Sequence, residues 1–177
     1  MKKILIPVTN HATLGTTDQA NGTFSPEITH AIHVFTQHGF DYDIASIAGG
    51  QVPVYGTDIE DDEVNQQVLA SEDFKKRTNN SLSVSEVNIS DYVAIFYPGG
   101  FGLLSDLASN EDFAKLAATH YEKGGLIGAG LNKITKGKVN SLNQLRNNVN
   151  SALGVPQTLI PSSYTNSEGL DDSKLGV

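Results

Sequence analysis

Two features of this 177-residue chain could do chemistry, and they lie far apart in sequence. The first is Gly99-Gly100-Phe101-Gly102, directly after the apolar run that ends at Tyr97. Glycines that follow a buried strand let backbone N–H groups converge on an anion without interference from Cβ atoms, which is oxyanion-hole chemistry in kind. The same spacing also suits a tight strand-to-helix turn, and the glycines alone do not separate the two readings. No Gly-Lys-Ser/Thr follows, so this is not a phosphate loop, and the full dinucleotide fingerprint is missing. The second feature is Glu27, in Ser25-Pro26-Glu27. Read from its position alone, it is an acid in the first turn of a helix, where the helix N-terminus favours a negative charge by about 0.3–1 kcal/mol.

Other polar clusters carry less. Glu27, His30 and His33 share one predicted helix, but a Glu-x-x-His pair needs matching ligands from other helices to hold a metal, and the sequence offers none. The acidic run Asp58 to Glu63 lacks the spacing and central glycine of a calcium loop and reads as a solvated surface. Lys75-Lys76-Arg77 is a short charged helix face. No metal or cofactor is expected. The net charge of −8 opposes binding to a phosphate backbone, which needs clustered Lys and Arg, so nucleic acid is excluded as a partner. Pro7, Asn10 and His11 interrupt the apolar start before it reaches signal-peptide length, and no run approaches the ~18 apolar residues of a membrane span. A cytoplasmic location is expected, and the absence of cysteine fits a reducing compartment.

These residues must be positioned by an α/β framework. At this length the chain fits one domain that buries about 70% of its unfolded surface. Ile4 to Val8 reads as a buried strand, Thr9 to Thr23 as a loop, and Ser25-Pro26-Glu27 as an N-cap, a first-turn proline and a first-turn acid. Helical spacing runs through Ile28, Ile32 and Phe35 to Gly39, and Tyr42 to Ser46 then alternates as a strand. Between Gly49 and Arg77 the pattern predicts turns and helical pieces at Val64–Ala70 and Phe74–Arg77, with no strand. Asp91 to Tyr97 is a strand, Glu111 to Glu122 a helix, and Leu126 to Ala129 a strand. Such alternation predicts a flavodoxin-like three-layer αβα sandwich with a mostly parallel sheet. Sites in that fold sit beyond the carboxyl ends of strands, where the segments after Tyr97 and Ala129 both lie.

Tyr97-Pro98-Gly99-Gly100-Phe101-Gly102, then Leu103 to Leu107, then Gly124-Gly125-Leu126-Ile127-Gly128-Ala129 resemble the DJ-1/PfpI (ThiJ/PfpI) superfamily. Gly22 to Glu27 resembles the family segment that delivers a carboxylate beside a nucleophilic thiol. Ala45-Ser46-Ile47-Ala48-Gly49-Gly50-Gln51-Val52-Pro53 resembles its Ala-Ser-Pro-x-Gly-Gly-x-x-Pro segment, with Ile47 in place of proline. The resemblance covers residues 2 to 129 and points to the branch of glutamine amidotransferase-like folds that holds heat-shock chaperones and glyoxalase III enzymes. It implies a site at Glu27, Gly99 and Gly100, and small carbonyl compounds such as methylglyoxal as substrates. In such enzymes a thiolate attacks the aldehyde, a histidine shuttles protons and water releases lactate. It also implies a homodimer, and the wider family adds deglycase, amidase or protease, and holdase activity on unfolded client proteins.

The resemblance breaks where the thiol belongs. Aligned without a gap, the nucleophile position is Leu131 and the histidine position is Asn132. Leucine has no nucleophile, and an amide does not cycle protons near pH 7. A second alignment removes this elbow and joins Ala129 to Gly137-Lys138-Val139-Asn140-Ser141. The expectation is therefore a family scaffold that is inactive as a thiol catalyst, with a pseudoenzyme that binds small molecules or client proteins as the alternative. Composition changes at the same place. Residues 1–130 hold 17 acids and 7 bases, residues 131–177 hold 3 acids and 5 bases, and half of the 14 asparagines fall in that tail. Residues 130–177 thus read as divergent or truncated relative to the family.

Overall fold

The computed structural model describes residues 2–13, 17–99 and 102–129, with Leu104 described by its backbone only. In chain order these form β1 (Lys3–Pro7), β2 (Thr23–Phe24), α1 (Ser25–Gln37), β3 (Asp41–Ser46), β4 (Ala48–Gly50), β5 (Val54–Tyr55), α2 (Glu63–Ala70) and α3 (Glu72–Asn79). Then follow β6 (Ser81–Ser83), β7 (Tyr92–Tyr97), α4 (Gly102–Ser105), α5 (Glu111–Glu122) and β8 (Leu126–Ala129). Six strands make one sheet in the order β4-β6-β3-β1-β7-β8, parallel throughout except for β4, and β2 pairs with β5 as a separate two-stranded ribbon. This is the flavodoxin-like α/β architecture that the alternation predicts. Residues 130–177, on which the single-domain and truncation readings bear, lie outside the described residues.

β1 is a continuous apolar run because helices cover both of its faces. Ile4, Ile6 and Val8 point to one side, where they join Ile28 and Ile32 of α1, Val68 of α2 and Phe74 of α3. By the two-residue period of a strand, Leu5 points to the other side with Ile95 of β7, where α5 buries Phe113 and Ala117. Burying a side chain of this size stabilises the fold by about 1.5–3 kcal/mol, so the two small cores outweigh any single polar contact described below.

Several details depart from the sequence expectation. β4 and β5 lie in the stretch where the pattern predicts no strand, β2 begins at the end of the segment read as a loop, and β6 is a strand that the pattern does not place. All four are two or three residues long, and β4 is largely glycine, so pairing with partners distant in sequence makes them strands rather than any propensity of their own. α3 extends over Glu72–Asn79, beyond the Phe74–Arg77 piece. The N-cap of α1 is Phe24, whose backbone is extended, and the Ser25 hydroxyl donates instead to the Gly56 carbonyl.

The amino-terminal end of the sheet is held by Arg77 in the last turn of α3. Its Nε donates to both carboxylate oxygens of Asp73 at 2.9 Å, its Nη2 to Asp41 Oδ1 at 2.9 Å and its Nη1 to Asp43 Oδ1 at 3.3 Å. Nη1 also donates to the Tyr42 carbonyl, and the guanidinium lies 4.3 Å above the Tyr42 ring. Lysine offers only a point charge and no planar fork, so Arg77→Lys should lower stability by about 1–2 kcal/mol, read as a lower urea midpoint at unchanged slope. Desolvation works to raise the Asp73 carboxyl, but hydrogen bonds from Arg77 and Tyr42 outweigh it and hold its pKa below the ordinary value. A folded pKa below the unfolded one stabilises above about pH 4 and is lost as pH falls below that, so Arg77→Lys should flatten the acid limb of the stability profile. An acid limb unchanged by the substitution would contradict this assignment.

Candidate functional site

Strand order reverses at β1: β3 and β6 lie on one side of it, and β7 and β8 on the other. In open parallel sheets this reversal leaves a crevice beyond the carboxyl ends of the two central strands. Here β1 ends at Pro7 and β7 at Tyr97. The first turn of α1 delivers Glu27 to the same end, and the loop after β7 delivers Gly99.

The two residues touch. An alanine Cβ built at Gly99 would lie 2.8 Å from Glu27 Cδ and 2.9 Å from Oε1, and would collide with Oε2. Only glycine leaves room for the carboxylate. Oε2 is shut off from solvent, although the residue as a whole is only partly buried. The structure therefore brings together two of the residues singled out from sequence. Gly100, Leu131 and Asn132 lie outside the described residues.

Several residues that sequence reasoning passed over hold this geometry. The backbone N–H of Asn10 donates to Asp106 Oδ2 at 2.9 Å, and that of Leu107 to Asp106 Oδ1 at 2.7 Å, which ties the segment after the glycine loop to the end of β1. The Asn10 side chain joins β1 to β3 and β4: its Oδ1 accepts from the Ala48 N–H at 2.9 Å and its Nδ2 donates to Ser46 Oγ at 3.1 Å. Two residues after Glu27, the fully buried Thr29 hydroxyl donates to Asn65 Oδ1 at 2.8 Å and fixes α1 against α2. An asparagine followed by polar residues at the end of an apolar strand is the only sequence signal for any of these.

The β2–β5 ribbon leads directly into α1. Phe24, the residue before α1, pairs with Tyr55 in register, and the two rings lie 5.3 Å apart. Desolvation, followed by the negative charge of Glu27, raises the Tyr55 phenol above its ordinary pKa. Burial alone does the same to Tyr97 at the end of β7. Both stay protonated at neutral pH. On the outer side of α1, His30 Nε2 meets both Asp62 oxygens at 2.8 Å and so is engaged away from the crevice. Among the described residues no group of three or more His, Cys, Asp or Glu side chains converges to hold a metal.

The Glu27–Gly99 contact makes a sharp prediction. Gly99→Ala overpacks it and should cost about 1–3 kcal/mol, and Glu27→Ala in the same chain should return a large part of that loss. Denaturation of the four members of this double-mutant cycle reads the coupling directly. Strict additivity would show that the two residues are not in contact.

Known proteins resemble this chain along most of its described length. The DJ-1/PfpI family model matches residues 19–138. Glyoxalase 3 of Candida albicans is 29% identical over 137 residues, covering 73% of this chain and 57% of that protein. The probable glutathione-independent glyoxalase SNO4 of Saccharomyces cerevisiae is 30% identical over 138 residues, covering 72% and 56%. Among solved structures, Rapid Encystment Protein 24 KDa of Francisella tularensis superposes with a TM-score of 0.67 at 32% identity, covering 73% of this chain and 58% of that one. Glyoxalase III of Candida albicans superposes with a TM-score of 0.62 at 25% identity, covering 72% and 56%. The chain thus spans little more than half the length of these relatives, and its relationship is glyoxalase III-like. On the family match and the fold together, the chain belongs to the DJ-1/PfpI family.

Proposed function

We propose that this chain presents a glyoxalase III-like crevice that binds small carbonyl compounds at Glu27 and Gly99 and does not carry out thiolate chemistry. The observation that carries this reading is the Glu27 carboxylate pressed on Gly99 at the strand-end crevice of a chain with no cysteine. Covalent attack on an aldehyde needs a nucleophile, and the gapless alignment puts the apolar Leu131 where it belongs. Asn132 at the histidine position bears an amide that does not titrate near pH 7. Gly100, Leu131 and Asn132 enter this proposal on sequence alone. What remains is a carboxylate that accepts hydrogen bonds, protonated phenols and a backbone turn bare of side chains, which is a set suited to holding a small polar molecule.

The direct test is conversion of methylglyoxal to lactate by the purified 177-residue chain. No lactate above a heat-killed control is expected, and sustained turnover would show that another group supplies the nucleophile. A companion experiment restores the missing pair. In Leu131→Cys/Asn132→His protein, a thiol facing Glu27 should titrate below about 8.5, the ordinary thiol value, and its pKa should move when Glu27→Gln is added. A thiol near 8.5 that ignores Glu27→Gln would remove Glu27 from the site.

A further inference from the structure

A pocket of about 310 Å³ opens at the amino-terminal ends of β7 and β8, where the turn Ile89–Asp91 meets the end of α5. It is separated by the length of β7, roughly 17 Å at 3.3 Å per strand residue, from the end that carries Gly99. Ile89, Tyr92 and Val93 give it an apolar side, and Ser90, His120 and Lys123 a polar one. His120, in the last turn of α5, is only 5% exposed, and its Nε2 is enclosed without a hydrogen-bond partner among the described residues. The imidazole fills the space that a side chain at position 125 would need, since a Cβ on Gly125 would collide with Nε2, Cδ2 and Cε1. The N–H groups of Lys123, Gly124 and Gly125 donate to the carbonyls of Thr119, Tyr121 and His120 at 3.3, 2.9 and 2.8 Å. The end of the helix is thus satisfied by its own turn, and the side chains of Ser90, His120 and Lys123 are left to face a ligand.

We propose that this pocket, separate from the Glu27 crevice, binds a small monocarboxylate, with the carboxylate between Lys123 and His120 and a short apolar body against Ile89, Tyr92 and Val93. No carboxylate lines the pocket among the described residues, and the Lys123 ammonium only donates, so the ligand must bring the acceptor. His120 completes the pair. An imidazole with a proton on Nε2 donates from that atom whether the ring is neutral or charged, so the role does not depend on its charge state. A buried nitrogen left unbonded carries a desolvation cost, which a ligand oxygen relieves. Nε2 is covered in the unliganded protein, so the ligand reaches it as the Gly124-Gly125 turn moves aside. Two consecutive glycines, the first at φ 80°, let the turn do so with least steric hindrance. One ammonium matches one negative charge, whereas a phosphate monoester brings close to two and more oxygens than these donors serve. The Tyr92 hydroxyl is engaged by Asp43 at 3.0 Å, which leaves the Tyr92 ring as apolar wall. The chain's charge of −8 is no bar, because exposed charges more than ~8 Å away are largely screened at physiological salt.

The test titrates the full 177-residue chain with butyrate, butyramide and inorganic phosphate, against sodium chloride at matched ionic strength, and follows nuclear magnetic resonance signals. Butyrate should shift the Gly125 amide and the His120 ring nitrogens saturably and leave the Gly99 amide where it is. Butyramide, of the same shape without the charge, should not. Lys123 is exposed, so Lys123→Gln leaves the fold intact, and it should weaken butyrate binding about tenfold or more, the worth of a hydrogen bond to a charged group. Equal binding of butyramide overturns the anionic ligand, and phosphate that displaces butyrate at equal concentration overturns the monocarboxylate class. Unchanged affinity in Lys123→Gln overturns the role of Lys123, and a saturable shift at Gly125 that leaves the His120 nitrogens unmoved overturns that of His120. If butyrate moves Gly99 and not Gly125, it sits in the Glu27 crevice and the second site is overturned. If it moves neither beyond the sodium chloride baseline, the pocket holds solvent only and the inference fails, whatever methylglyoxal does at Gly99.

Discussion

The contact between the Glu27 carboxylate and the bare Cα of Gly99 constrains more of this molecule than any other polar feature. A carboxylate driven toward backbone loses hydration, and it is tolerated only where its surroundings replace that hydration or where one side stays open. Here one oxygen is enclosed while the residue as a whole is only partly buried. For the two residues to meet, α1 must begin at the mouth of β1, and the chain leaving β7 must turn at a residue without a side chain. Both conditions follow from the order of the sheet. Because β7 is laid next to β1 on the side away from β3, the loop after β7 faces the helix that follows β1.

The remaining polar contacts keep these elements in place from opposite ends. At the carboxyl end, Asp106 and Asn10 join the segment after the glycine loop to β1, and the Thr29–Asn65 hydrogen bond sets α1 against α2. At the amino end, Arg77 gathers Asp41, Asp43 and Asp73, and Lys3 and the Tyr92 hydroxyl complete the coordination of Asp43. The apolar cores between them do most of the stabilising, while the charged and buried polar groups fix which residue faces which. None of the contacts that place Glu27 and Gly99 involves a thiol.

Much of the fold is legible in sequence because its long elements carry strong patterns. Ile4 to Val8, the Ile28–Ile32–Phe35 face, Phe113 with Ala117, and the Leu126–Ala129 run each announce their type through period or continuity. The short strands are not legible. Gly49 and Gly50 have low strand propensity, and Val54-Tyr55 is too short to show a period, so both become strands only through partners distant in sequence. Part of the described site was readable in the same way. Glu27 and Gly99 stood out through a helix-start signal and a post-strand glycine, but the Asn10–Asp106 and Thr29–Asn65 contacts that hold them did not, because each joins segments far apart in sequence.

The central claim is one of proximity, and a nuclear Overhauser measurement reads it most directly. In protein labelled at glutamate and glycine, the account predicts cross-peaks between the Glu27 γ-methylene protons and the Gly99 α-protons, with Glu27 alone among the glutamates making this contact. A well-dispersed spectrum of folded protein in which Gly99 shows no such cross-peak, or shows it to another glutamate, would contradict the account.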